Sequence, residues 1–131
     1  MAEDQAPRIL VVEHDDGIRR SICTVLATAG YDLVDASDGK EALDAVGRPS
    51  SIDLVVLDLD MPQFDGIGTL DSIPGGVPVI VLSAVGTGFS EGIKERYPTK
   101  VVSFLSKPTR ESDLLSAVRT ALRSRSGVRL S

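Results

Sequence analysis

The chain has no tryptophan, one cysteine and one histidine. With Cys23 alone, an internal disulfide is excluded; set among Ile22, Val25 and Leu26, it reads as a small buried residue rather than a reactive thiol. No apolar run approaches the roughly 20 residues that a membrane helix needs. The opening MAEDQAPR is acidic and polar, without the apolar centre of a signal peptide, so a cytoplasmic location is expected. Nucleic-acid motifs, internal repeats and an internal linker are also missing. Arg119, Arg123, Arg125 and Arg129 read as a solvated helix face running into a tail, and no direct contact with nucleic acid is expected of this segment.

What is present is ordinary globular material: 131 residues, 42% hydrophobic and 25% charged. That length buries a core without disulfides or metals and suits one domain. The net charge of −5 conceals an uneven distribution: residues 1–66 carry 14 acidic and 5 basic side chains, residues 67–131 carry 5 acidic and 9 basic. The acids concentrate in the first half.

Five short β-branched runs recur with helix-like segments between them: RILVV 8–12, YDLVDA 31–36, IDLVVL 52–57, VPVIVL 77–82 and VVSFL 101–105. This alternation predicts a parallel sheet. The stretches 9–12, 54–57 and 79–82 are continuously apolar, as expected of strands covered on both faces, whereas 31–36 alternates and suits an edge. The first, third and fourth runs should therefore form the centre.

Between the runs, Ile18, Ile22, Val25, Leu26 and Ala29 share one helical stripe ending at Gly30, which predicts a helix over about 16–29. Asp38 with Glu41 three residues on predicts a capped helix over 38–46, and Leu114, Leu115, Val118, Ala121 and Leu122 mark a last one over 110–124. Asp65 and Gly66 are expected to form a turn ahead of a short third helix. In 84–99, Gly86, Gly88 and Gly92 each cost about 1 kcal/mol of helix propensity relative to alanine, so a helix there should start late and fray. Residues 1–6 are expected to be a tail, and 125–131 a tail or the start of a linker.

In an open parallel α/β sheet, functional groups gather at the carboxyl ends of the strands. After the first run come Glu13 and His14, after the third Asp58, after the fourth Ser83, and just beyond the fifth Lys107-Pro108. A carboxylate pair, a hydroxyl and an ammonium suit phosphoryl chemistry with a divalent metal: the cations neutralise phosphate oxygens, the hydroxyl donates a hydrogen bond and a carboxylate attacks.

Taken together, ILVVEHDDGIRR, DLVVLDLDMPQFDG, VPVIVLSA and SFLSKP resemble the receiver domain of two-component response regulators over residues 7–124. Each motif is weak alone; four in order are specific. The resemblance implies a flavodoxin-like, doubly wound parallel sheet of strand order 2-1-3-4-5 with helices on both faces. It implies that Asp58 accepts a phosphoryl group from a histidine kinase, a phosphotransfer protein or a small phosphodonor. Lys107 would pair with the phosphate, Ser83 would swing to bond it, Phe104 would be the switch aromatic, and Pro108 would follow a cis peptide. The domain would catalyse only its own phosphorylation and dephosphorylation, signalling through a homodimer or an output partner at the 84–124 surface. Asp60 would offer a divalent cation, magnesium, its backbone carbonyl beside Glu13 and Asp58. Side chains at Asp60 and Val85 would influence phosphate lifetime.

Bland roles compete at each position. Asp58 could be a strand-end carboxylate, Lys107 a solvated lysine, Ser83 a cap and Phe104 simple core. Asp15 and Asp16 read better as caps at the positive end of the first helix than as metal ligands.

His14 departs from the family pattern, in which two acids follow the first strand and the second binds metal directly. ILVV upstream and GIRR downstream pin the register, so moving Asp15 into that place would need a one-residue insertion. Losing a carboxylate about 4 Å from a divalent ion forfeits roughly 8 kcal/mol of gross attraction at effective dielectric 20, against about 3 kcal/mol of relieved repulsion. Three outcomes stay open: weak magnesium binding, preference for manganese or zinc at a mixed site, or protonated His14 replacing the cation.

Two rival readings compete with the receiver. Asp58-Leu59-Asp60 also resembles the paired-aspartate motif of haloacid dehalogenase-type phosphatases, but the remaining acid lies upstream, no cap domain is available, and Pro62 replaces the expected small β-branched residue. The other is a pseudo-receiver, a phosphorylation-independent interaction module that keeps only the fold.

Overall fold

The computed structural model describes residues 6–47, 52–61, 65–84 and 89–130. Within them run β1 (Arg8–Val12), α1 (Asp16–Thr28), β2 (Asp32–Ala36), α2 (Gly39–Val46), β3 (Leu54–Asp58), α3 (Asp65–Ser72), β4 (Val79–Ala84), α4 (Phe89–Arg96), β5 (Val101–Lys107) and α5 (Glu111–Leu130). The strands form one parallel sheet in the order β2-β1-β3-β4-β5. The three apolar runs are its centre, and the alternating run is an edge, as the patterning predicts.

The two-residue period of a strand sends alternate side chains to opposite faces. Leu10, Val12, Val55, Leu57, Val79 and Val81 pack with Ala42, Leu70 and Ile93 of α2, α3 and α4 and with Ile73 just after α3. Ile9, Val11, Leu54, Val56, Ile80 and Leu82 pack with Leu26, Leu114 and Val118 of α1 and α5. The sheet is thus a wall between two cores. Cys23 lies half-buried on the second, its thiol pushed up chiefly by burial.

Helix starts follow their caps. Asp15 accepts the Ile18 amide at 2.9 Å, and Asp16 in the first turn pairs with Arg19 at 2.6 Å. Asp38 accepts the Glu41 amide, while the Glu41 carboxylate reaches back to the Ser37 amide and hydroxyl. Gly30 follows α1 with φ 101°, the left-handed conformation that glycine adopts without strain.

Two helix boundaries differ materially from the sequence expectation. Asp65 and Gly66 belong to α3 itself, not to a turn before it. A Cβ on Gly66 would lie 2.7 Å from the Leu59 Cα and carbonyl oxygen, so glycine there lets the helix start hard against the end of β3. The last helix continues past residue 124 to Leu130, so the expected tail is helical over 125–130. α4 does begin late, at Phe89, but Val85, Gly86 and Gly88 lie outside the described residues. So does Pro62.

Candidate functional site

Parallel strands all end on the same side, which brings Glu13, Asp58, Ser83 and Lys107 to one edge of the sheet. Register makes this specific: Asp58 pairs with Leu82, and the Leu59 amide continues the ladder to the Leu82 carbonyl at 2.9 Å. Ser83 pairs with Ser106 and Ala84 with Lys107. The Glu13 amide extends β1 toward the Ala36 carbonyl at 3.0 Å. Glu13 and Asp58 are each 2% exposed and Ser83 is fully buried, unusual places for polar side chains unless they are paired.

Lys107 is the cation between the two carboxylates. Its Nζ donates to Asp58 Oδ1 at 3.0 Å and stands 3.6 Å from Asp60 Oδ2 and 3.9 Å from Glu13 Oε1. Burial opposes its charge, but the hydrogen bond to Asp58 and the charges of Asp58, Glu13 and Asp60 outweigh it and raise its pKa. The Asp60 amide gives Asp58 Oδ1 a second hydrogen bond, at 2.9 Å. The Lys107-Pro108 peptide is cis.

Glu13 is the strained member. Burial, first, and then the neighbouring Asp58 raise its pKa from 4.5 to about 7, against the lowering effect of the Asp15 amide at Oε2. Its Oε1 is buried and has no hydrogen-bond partner. A lone buried carboxylate oxygen beside a second carboxylate fits a hard cation, which takes oxygen ligands. Among the described residues no three His, Cys, Asp or Glu side chains converge as a metal cage, and His14 is exposed. A divalent ion would therefore rest on two carboxylates, with backbone and water completing its shell.

Phe104 pairs with Val81 and lies half-buried against the α2, α3 and α4 core. Two features escaped the sequence reading. The Asp60 side chain, expected to influence phosphate lifetime but given no partners, accepts from Ser83 Oγ at 3.0 Å and the Ala84 amide at 2.6 Å. Arg19 bonds the Glu13 carbonyl at 2.8 Å as well as Asp16 and Asp35, tying α1 to the strand ends. Its spacing from Asp16 was a visible signal; its reach to Asp35 and Glu13 needed the fold.

The response regulator receiver domain pattern matches residues 9–119. The probable transcriptional regulator ycf27 of Pyropia yezoensis is 36% identical over 92% of this chain and 49% of its own length. Response regulator MprA of Mycolicibacterium vanbaalenii is 36% identical over 88% of this chain and 50% of its own. Among solved structures, the receiver domain of the Francisella response regulator 1452 superimposes with a TM-score of 0.76 at 31% identity, covering 91% of this chain and 98% of that one. This fold and site define a phosphorelay class of module. The chain belongs to the response regulator receiver domain family, and it spans about half the length of the curated relatives it matches. Family membership disfavours the phosphatase and pseudo-receiver readings. Receiver domains generally hold magnesium in such an acidic pocket and interact with histidine kinases or phosphotransfer proteins. No described helix is long and apolar enough to cross a membrane.

Proposed function

We propose that residues 7–124 form a cytoplasmic receiver in which Asp58 accepts a phosphoryl group from the phosphohistidine of a histidine kinase or phosphotransfer protein, or from a small phosphodonor. The observation that carries this reading is the buried Asp58 carboxylate 3.0 Å from Lys107 Nζ, with Glu13 and Ser83 delivered to the same strand edge. Asp58 Oδ1 is held by Lys107 and the Asp60 amide. That leaves Oδ2 to attack phosphorus: an O–P bond forms as the P–N bond of the phosphohistidine breaks, and the electron pair returns to the imidazole ring. Lys107 neutralises a phosphoryl oxygen and Ser83 donates to another.

Glu13, Asp58 and the Asp60 carbonyl would hold a divalent cation, magnesium first, bound weakly because His14 replaces an oxygen ligand. Bound there, the ion supplies positive charge beside the phosphoryl oxygens. The groove between α1 and α5, lined by Ile18, Ser21, Ile22, Thr109 and Leu114, opens directly onto Glu13 and Lys107 and supports docking of the phosphodonor. Phe104 turns inward as Ser83 closes on the phosphate, and α4, β5 and α5 carry the signal to a second copy or an output partner. The domain catalyses only its own phosphorylation and dephosphorylation.

Incubation with acetyl phosphate and magnesium, followed by intact-mass measurement, tests the reading. One phosphoryl group should add to the wild type and none to Asp58→Asn; equal modification of both would refute it.

A further inference from the structure

The Asp60 carboxylate collects three donors of different kinds. Ser83 Oγ donates to Oδ1 at 3.0 Å, the Ala84 amide donates to Oδ2 at 2.6 Å, and Lys107 Nζ stands 3.6 Å from Oδ2. The donors come from β4 and β5, and the same Lys107 nitrogen bonds Asp58 at 3.0 Å. A hydroxyl, a backbone N–H and an ammonium converging on one point are what a tetrahedral oxyanion attached to Asp58 requires. Here that point already holds an anion.

We propose that Asp60 is a built-in occupant of the oxyanion cradle: its carboxylate holds Ser83, Ala84 and Lys107 in the unphosphorylated arrangement and has to leave when Asp58 is modified. The inference rests on Asp58 being the phosphoacceptor and goes beyond it. The Ser83 hydroxyl and the Ala84 amide each carry one donor hydrogen, already given to Asp60, so a phosphoryl group that takes both excludes the Asp60 contacts. Asp60 has somewhere to go, because it lies at the exposed mouth of the site. It is a positioning residue that slows entry of the phosphoryl group and returns Ser83 to its resting place once the phosphate is lost.

The test compares wild type, Asp60→Asn, Asp60→Ala and Asp58→Asn for the rate of phosphorylation by acetyl phosphate, read by intact mass. Removing the charge frees the cradle of charge-assisted hydrogen bonds, so both Asp60 variants should be modified about tenfold faster or more. The Ala84 amide proton resonance, read by NMR without phosphodonor, should move upfield in Asp60→Ala, a direct signature of the lost carboxylate bond. Modification of Asp60→Asn but not of the wild type would also support the inference, as a complete block released. Wild-type phosphorylation on Asp58 with equal or slower rates in both Asp60 variants would overturn it while leaving the phosphoacceptor reading intact. No modification of any of the four proteins would overturn both.

Discussion

Glu13 concentrates the cost of building this site. The folded protein binds its proton more tightly than the unfolded chain does, because burial and Asp58 raise its pKa from 4.5 to about 7. Its contribution to stability is therefore complete below pH 4.5 and is lost as pH rises through about 7, a loss of up to about 3 kcal/mol. Urea midpoints in EDTA should fall between pH 5 and pH 8 in the wild type relative to Glu13→Gln; parallel curves for the two proteins would contradict this. Magnesium at pH 8 should recover part of the difference, since a cation binds the deprotonated form. Beside it, His14→Asp restores an oxygen ligand and should tighten magnesium binding by about tenfold or more, read by titration at pH 7.5. Unchanged affinity would mean that position 14 does not reach the ion.

At the scale of elements, α3 shows how closely the frame is drawn around Asp58. Gly66 passes Leu59 so tightly that a Cβ would meet backbone atoms at 2.7 Å, and Leu59 is the residue after Asp58. Backbone cannot give as a flexible side chain can, so Gly66→Ala should cost about 2 kcal/mol in chemical denaturation and slow phosphorylation of Asp58. Gly68, one position on from Ile67 in the same helix, has nothing within 4 Å of a built Cβ, so Gly68→Ala should stabilise by about 0.5–1 kcal/mol. The contrast separates steric need from helix propensity. It also marks what the sequence makes legible. Apolar stripes and capping pairs predict α1 and α2 nearly to the residue, because those signals are local. The start of α3 is not local: it depends on how near the end of β3 the chain must pass, and Gly66 alone reads as a turn.

The described residues form a sheet between two cores, with Glu13, Asp58 and Asp60 gathered around Lys107 where the strands end. The central strands and the four strand-end groups were legible because continuous apolar runs report burial on both faces and parallel strands share one functional edge, whereas the strand order was implied by the resemblance to receiver domains. The Asp60 side chain was not legible, since its partners Ser83 and Lys107 are 23 and 47 positions away and meet only through the register of β3, β4 and β5. That register also links the site to Phe104 and to the surface made by α4, β5 and α5. Hydrogen exchange should therefore change in α4 and β5 when beryllofluoride is added with magnesium, and should stay unchanged in Asp58→Asn. The proposed function depends on a phosphoryl group landing on Asp58. Borohydride reduces an aspartyl phosphate to homoserine, so peptide mapping after acetyl phosphate treatment reads the position directly. Homoserine is expected at position 58 alone; homoserine at another aspartate, or at none, would contradict Asp58 as the phosphoacceptor.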